Sequence, residues 1–284
     1  MSASGSFAAP ALAKQSLRVG NVGAGVARRP ALTQLPLPRA LLCDLDGTLI
    51  DSMPTLAEIA AEVMEKVYET PGILARELYL ATCGLPFAGQ LEEIYPGDLR
   101  NAQASEMFES AKPARCSAIQ MPAETRRTLE SLRAAGVRIV VSSNNGVENV
   151  ETFARASDFK FDLTLGFGGG LAKGRPHFDA TSRLFQLDRQ EMLFVGDSLH
   201  DGEIAEREGV PFVAVATTFS PERFMLRFPQ VPVVRRFAAL AELFQSDVAR
   251  PSRAPARSGV ETLGGSPRSP ATDSARPSRA PSTR

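Results

Sequence analysis

Short apolar runs alternate with amphipathic stretches through the middle of the chain. Ala40-Leu41-Leu42-Cys43 is the first run and stops at Asp44; Arg138-Ile139-Val140-Val141 is the second. Phe161–Leu165, Met192–Val195 and Pro211–Ala216 follow, with Val231–Val234 as a candidate edge strand. Unbroken apolar runs of this length fit strands buried on both faces. Between them, Val147, Val150, Phe153 and Ala154 share one helical face, and Phe178, Thr181, Leu184 and Phe185 share another. Gly136 is placed to end the helix that enters the second strand. Strand and helix in repeated alternation predict a parallel sheet covered by helices on both sides.

The first connection breaks this rhythm. About 90 residues separate the first two runs, where a crossover helix needs far fewer. An inserted subdomain accounts for the excess, with expected bounds at residues 53–121. Leu56, Ile59, Ala60, Val63, Met64 and Val67 recur there at helical spacing, after Ser52 as a candidate N-cap and Pro54 in the first turn. The insertion therefore reads as mainly helical. The remaining core is expected at residues 39–52 and 122–246.

Composition changes the picture mainly at the ends. The formal net charge is zero, yet residues 1–40 carry five basic and no acidic groups, and residues 249–284 carry seven basic and two acidic. The body between them is strongly acidic, which argues against a nucleic-acid partner. Residues 1–38 read as a disordered or targeting-like extension, Arg- and Ser-containing and acid-free, without the apolar core of a secretory signal. Residues 249–284 read as a disordered Pro/Ser/Arg-rich tail, in which Ala-Arg-Pro-Ser-Arg-Ala-Pro occurs twice, at 249–255 and 275–281. No apolar stretch approaches the roughly 20 residues that span a bilayer, so no membrane partner is expected. Cys43, Cys83 and Cys116 lack CxxC spacing and suit a reducing, cytoplasmic setting, with organelle targeting by the extension left open.

Ligands of open parallel sheets sit beyond the carboxyl ends of the strands, so the residues that follow each run belong together. They are Asp44-Leu45-Asp46-Gly47-Thr48, Ser142-Ser143-Asn144-Asn145, a glycine-rich loop leading to Lys173, and Gly196-Asp197-Ser198-Leu199-His200-Asp201. Four carboxylates, a hydroxyl and a lysine converge on one edge. Such a cluster repels itself and any phosphate unless a cation intervenes, and hard oxygen ligands point to Mg2+. A carboxylate can then serve as nucleophile toward phosphorus. The loop Gly166-Phe167-Gly168-Gly169-Gly170 lacks the Gly-Lys-Ser/Thr of a nucleotide cradle and reads as a turn. His177 and His200 are not spaced as a metal pair, and His200 is expected on the site rim.

Asp44-Leu45-Asp46-Gly47-Thr48, Ser143, Lys173 and Asp197-x-x-x-Asp201 resemble the four ordered motifs of the haloacid dehalogenase-like hydrolases. Within that superfamily the chain resembles the phosphoglycolate phosphatase-like branch with a small helical cap. The resemblance implies an α/β fold, a Rossmann-like parallel sheet with an inserted helical cap subdomain. It also implies that Asp44 attacks phosphorus, that Asp46 is the general acid/base, and that Asp44, Asp46 (through its carbonyl), Asp197 and Asp201 hold the metal. Ser143 would bind phosphoryl oxygens, chosen over Ser142 because it precedes Asn144, and Lys173 would offset charge. Gly47, Thr48, Asn144 and Arg175 are further candidates for substrate binding; Arg175 is included because Lys173-Gly174-Arg175-Pro176 departs from the usual Lys-Pro order. Gly84-Leu85-Pro86-Phe87 is a candidate cap loop facing the pocket.

The expected activity is Mg2+-dependent hydrolysis of a small phosphorylated metabolite through an aspartyl-phosphate. A phosphosugar mutase using the same residues, and a noncatalytic phosphate-binding module, are the alternatives. A phosphonate-cleaving relative would require a cap lysine, for which Lys66 and Lys112 are available. Neither the particular ester nor the oligomeric state is legible.

Overall fold

A computed structural model describes residues 34–244. The expected tail and nearly all of the N-terminal extension lie outside the described residues. Six parallel strands form one sheet in the order β3-β2-β1-β4-β5-β6. They are β1 Ala40–Cys43, β2 Arg138–Gly146, β3 Leu163–Phe167, β4 Met192–Gly196, β5 Phe212–Val215 and β6 Val233–Val234. The α/β fold read from the apolar runs is therefore present, with Val233–Val234 at the edge.

Successive side chains of a strand face opposite sides of the sheet, and β1 divides accordingly. Ala40 and Leu42 join one core, with Phe178 of α7 (Arg175–Phe185), Ile204 of α8 (Leu199–Glu208) and Phe224 of α9 (Pro221–Arg227). Leu41 and Cys43 join the other, with Leu129 and Leu132 of α5 (Ala123–Ala134), Val150 of α6 (Val147–Ala156) and the 3-10 segment Phe237–Phe244. Both faces are covered, which is why the strands carry no polar alternation.

Two boundaries differ from expectation. β2 continues through the polar Ser142–Gly146, because its pairing with β3 resumes after a register shift between Ser142 and Gly146. β3 begins at Leu163, not Phe161, since the Phe161 ring packs on Phe159 and Phe153 at centroid distances of 4.9 and 5.9 Å. Leu184 was expected to face the core with Phe178, but it is 56% exposed. Six residues along an α-helix turn the side chain by about 240°, away from the buried face that Phe178 and Thr181 occupy.

Five helices lie between β1 and β2: α1 Met53–Tyr68, α2 Gly72–Ala81, α3 Phe87–Ile94 and α4 Asn101–Cys116 come first, and α5 leads into β2. α1 buries Leu56, Ile59, Val63 and Met64, each of which contributes roughly 1.5–3 kcal/mol. The helix ends at Glu69, which turns left-handed with φ 58°. Gly136 plays the expected role at the end of α5, with φ 95° and its N–H on the Arg133 carbonyl at 2.9 Å. Ser52 does not cap α1 through its side chain; its hydroxyl is used elsewhere, as described below. Among the described residues no helix is long and apolar enough to cross a membrane.

Candidate active site

The strand order reverses direction at β1 and β4, and in open sheets the crevice at such a point receives ligands. Asp44 stands there. Its N–H donates to the Val195 carbonyl of β4 at 2.9 Å, which fixes the residue between the two strand ends. The chain then turns tightly: the N–H groups of Leu49 and Ile50 donate to the Leu45 carbonyl, and Gly47 N–H donates to the Ile50 carbonyl at 2.8 Å. Gly47 has φ 77°, and a Cβ there would run into the Asp197 carboxylate. Glycine is required on both counts, and it lets the turn close over Asp197.

Asp197 follows β4. It accepts a hydrogen bond from Thr48 Oγ1 at 3.2 Å on Oδ1 and one from Thr218 Oγ1 on Oδ2. Asp201 lies in the first turn of α8. Its Oδ2 accepts from Ser198 Oγ at 2.6 Å and from Ser198 N–H at 3.2 Å, while Ser198 Oγ accepts from Asp201 N–H at 3.0 Å. This reciprocal cap satisfies the helix start. It leaves Asp201 Oδ1 for Lys173, whose Nζ sits 2.9 Å from it and 2.8 Å from Asp44 Oδ1.

Asp44, Asp197 and Asp201 are buried, and each offers a carboxylate oxygen within 4.8 Å of the others. Burial pushes the Asp44 carboxyl well above the usual range; Lys173 pulls it down, and Asp201 and Asp197 push it up again. Asp197 is pushed up to about 7, first by burial and then by repulsion from Asp201, against the hydrogen bond from Thr218. Burial alone would lower Lys173, yet attraction to Asp201 and Asp44 outweighs it and keeps the ammonium charged. Three buried carboxylates thus face a single buried ammonium, and the cluster lacks positive charge. A hard divalent cation fits that donor set.

Asp46 extends the site outward. Its Oδ1 accepts from Ser52 Oγ at 2.5 Å, and its Oδ2 accepts from Asn145 Nδ2. Asn145 Oδ1 in turn accepts from Lys112 Nζ, which also reaches Glu109 Oε2 at 2.9 Å. Ser143 lines the same cavity as Asp44 and Asp46, and its Oγ accepts from Asn145 N–H at 3.1 Å. Asn144 joins the insertion to the sheet: its Nδ2 donates to the Gly84 carbonyl at 2.8 Å and its Oδ1 accepts from Lys173 N–H at 3.1 Å. The cavity is small, about 60 Å³, and the insertion supplies its far side through Gly84, Leu85, Pro86 and Phe87.

Ser142 is buried and has a partner of its own. Ser142 Oγ lies 2.9 Å from His177 Nδ1, and His177 Nε2 lies 3.2 Å from the Gly166 carbonyl. His177 is buried, and burial lowers its pKa to about 4. The folded protein therefore resists protonating a group that the unfolded chain protonates near 6.5. The resulting stability is complete above pH 6.5 and disappears as pH falls toward 4, amounting to about 3 kcal/mol. Urea titrations between pH 7 and 4.5 should show this loss in the native protein and a shallower pH dependence in His177→Asn.

Not every expected residue enters the site. Arg175 points away: its Nε pairs with Glu208 at 3.0 Å and its side chain is 72% exposed. Thr48 serves Asp197, and Gly47 has committed its N–H to the turn. His200, expected on the rim, is partly buried beside Gly84, where a Cβ on the glycine would lie 2.8 Å from His200 Cβ. Ser52, Asn145, Lys112 and Thr218 contribute without having been singled out for these roles. Thr217 and Thr218 lie one residue beyond the end of β5, after Ala216, and Thr217 Oγ1 donates to the Gly47 carbonyl at 2.5 Å. The rule applied to the first four strand ends would have found them at the fifth.

Residues 41–215 match the haloacid dehalogenase-like hydrolase family. The chain belongs to that family. This haloacid dehalogenase-like hydrolase is 29% identical over 189 residues to a phosphoglycolate phosphatase of Nitrosospira multiformis, covering 61% of this chain and 82% of that one. It is 25% identical over 222 residues to a phosphoglycolate phosphatase of Neisseria gonorrhoeae, covering 73% and 92%. Among solved structures, a hydrolase from Pseudomonas syringae superposes with TM-score 0.63 at 17% identity, covering 72% of this chain and 97% of that one. A haloacid dehalogenase-like family hydrolase from Streptococcus pneumoniae does so with TM-score 0.61 at 17% identity, covering 72% and 98%. These likenesses establish the fold around the carboxylate cluster.

Proposed function

We propose that this hydrolase is a Mg2+-dependent phosphatase that cleaves a small phosphate monoester through an aspartyl-phosphate on Asp44. The observation that carries the reading is the placement of Asp44 Oδ1 against Lys173 Nζ at 2.8 Å, inside a buried cluster of three carboxylates that opens on a cavity. The phosphatase names of the relatives support the same class of reaction.

Asp44, Asp197, Asp201 and the Asp46 carbonyl would hold Mg2+, which neutralises the carboxylates and polarises a phosphoryl oxygen when bound. Asp44 attacks phosphorus while the ester P–O bond breaks, and Asp46 in its acid form gives its proton to the departing alkoxide. Asp46, now a carboxylate, takes a proton from water as that water attacks phosphorus. The Asp44–phosphorus bond breaks, inorganic phosphate leaves, and both aspartates return to their starting forms. Ser52 and Asn145 orient Asp46 from two sides. Ser143 is positioned to donate to a phosphoryl oxygen, and Lys173 offsets charge on Asp44 and phosphate.

In this reading residues 39–52 and 122–246 are the catalytic core and residues 53–121 a cap. Gly84–Phe87, Tyr79 and Phe108 close the cavity from the cap side, which suits a small phosphorylated metabolite in place of a folded phosphoprotein. Free thiols at Cys43, Cys83 and Cys116 accord with a cytoplasmic setting. The test is a panel of phosphorylated metabolites, phosphoglycolate first, assayed for released phosphate. Release should appear with Mg2+, fall to background with EDTA and return when Mg2+ is restored. Interconversion of sugar phosphates without net release would point to a mutase, and no turnover of any ester would overturn the reading.

A further inference from the structure

A second cavity of about 270 Å³ adjoins the first. It lies between α6 and the segment that leads from α4 to Met121, and Leu45, Ile50, Leu56, Ile119, Met121 and Phe153 give it an apolar wall. Asp46, Leu56, Lys112 and Asn145 line both spaces, so the two lie on either side of the hydrogen-bonded Asp46–Asn145–Lys112 chain, beside the carboxylate assigned to protonate the leaving group.

The volumes divide the substrate. One water occupies about 30 Å³ of liquid, and an apolar cavity of about 150 Å³ holds benzene. The first space, about 60 Å³, is the smaller and holds the carboxylates that would meet phosphorus, whereas the second space has room for more than one aromatic ring. An ester whose phosphorus faces Asp44 and whose bridging oxygen faces Asp46 continues past Asp46 into the larger space.

The lining also selects by charge. Among the described residues that line the second cavity, Lys112 is the cation, and its Nζ is already bonded to Glu109 and Asn145. A short anionic leaving group such as glycolate would meet a mainly apolar lining, the Asp46 carboxylate and neutral polar groups such as Gln120, Asn149 and Thr152, and no free positive charge. A carboxylate moved into such surroundings loses hydration without compensation, whereas an alkyl or aryl group gains from leaving water.

We propose that this cavity is the leaving-group subsite, and that the preferred substrates are phosphate monoesters of alcohols bearing an apolar group about the size of a hexyl chain or an aromatic ring. The proposal rests on the phosphatase reading of the neighbouring carboxylates and assigns a substrate class to it.

Binding and turnover test it separately. Ethyl-, butyl- and hexylphosphonate carry no hydrolysable ester, so their Kd values for the full-length protein with Mg2+, measured by titration calorimetry, report the subsite alone. Each fully buried methylene is worth about fourfold in affinity. Kd should therefore fall at least about tenfold from ethyl to hexyl. The kcat/KM values of the matching alkyl phosphates, whose leaving groups differ little in basicity, should rise in the same order and exceed that of phosphoglycolate. Ile119→Trp and Thr152→Trp each fill the cavity from a partly or fully exposed position, and should bring the hexyl-to-ethyl ratio of Kd close to one. A flat or inverted phosphonate series, no measurable binding of any phosphonate, a ratio unchanged in both folded variants, or phosphoglycolate as the better substrate would each overturn the assignment. A rising phosphonate series without hydrolysis of any ester would keep the subsite and overturn the phosphatase reading.

Discussion

Asp44→Asn is expected to show no measurable phosphate release while remaining folded. The amide cannot form the phosphoryl bond, and removal of a nucleophile that works as one unit with its neighbours costs on the order of a million-fold elsewhere. The electrostatics predict the accompanying effect on stability. Burial and repulsion from Asp201 and Asp197 disfavour a charge at Asp44, even though Lys173 favours it. The substitution relieves that repulsion, and Lys173 keeps Asp201 at 2.9 Å as its partner. The metal-free variant at neutral pH should therefore unfold at the same temperature as the native protein or a higher one. Thermal unfolding in EDTA, read beside a phosphate-release assay with Mg2+, checks both halves. Appreciable turnover would remove Asp44 from the nucleophile role, and marked destabilisation would show that Lys173 depends on it for its position.

Asp46→Asn should lose on the order of 100- to 10,000-fold in kcat, the range for a positioned general acid/base. The loss has a diagnostic shape. A p-nitrophenolate leaves without much help from an acid, whereas an alkoxide needs the proton, so the deficit should be larger for alkyl phosphates than for p-nitrophenyl phosphate. The geometry adds little further cost. Asn145 Nδ2 donates to Asp46 Oδ2, and the new amide can keep its oxygen there while its nitrogen faces Ser52 Oγ, a hydroxyl that can also accept. Equal losses on both classes of ester would assign Asp46 a positioning role in place of proton transfer.

The layering and the location of the chemistry could be read from the amino-acid pattern. A run such as Ala40-Leu41-Leu42-Cys43, set among others of its kind, reads as a short strand with both faces buried, and the polar residue that ends it then lies at the strand's carboxyl end. That local argument brings Asp44, Ser143, Lys173 and Asp197 to one edge without knowledge of the strand order. The order itself, β3-β2-β1-β4-β5-β6, was left to the packing of whole elements. So were the roles that depend on one side chain meeting another across the chain. Ser52 resembled a helix cap because a serine before a proline-started helix is locally indistinguishable from one; only the folded turn carries its hydroxyl to Asp46 at 2.5 Å. Arg175 is near Lys173 in sequence, but the start of α7 turns it toward Glu208 on α8. Lys112 and Asn145 are 33 residues apart and meet because the insertion returns over the sheet. Periodicity reports which face of its own element a side chain occupies; which partner it meets there is fixed by distances between elements, which the tertiary structure alone sets.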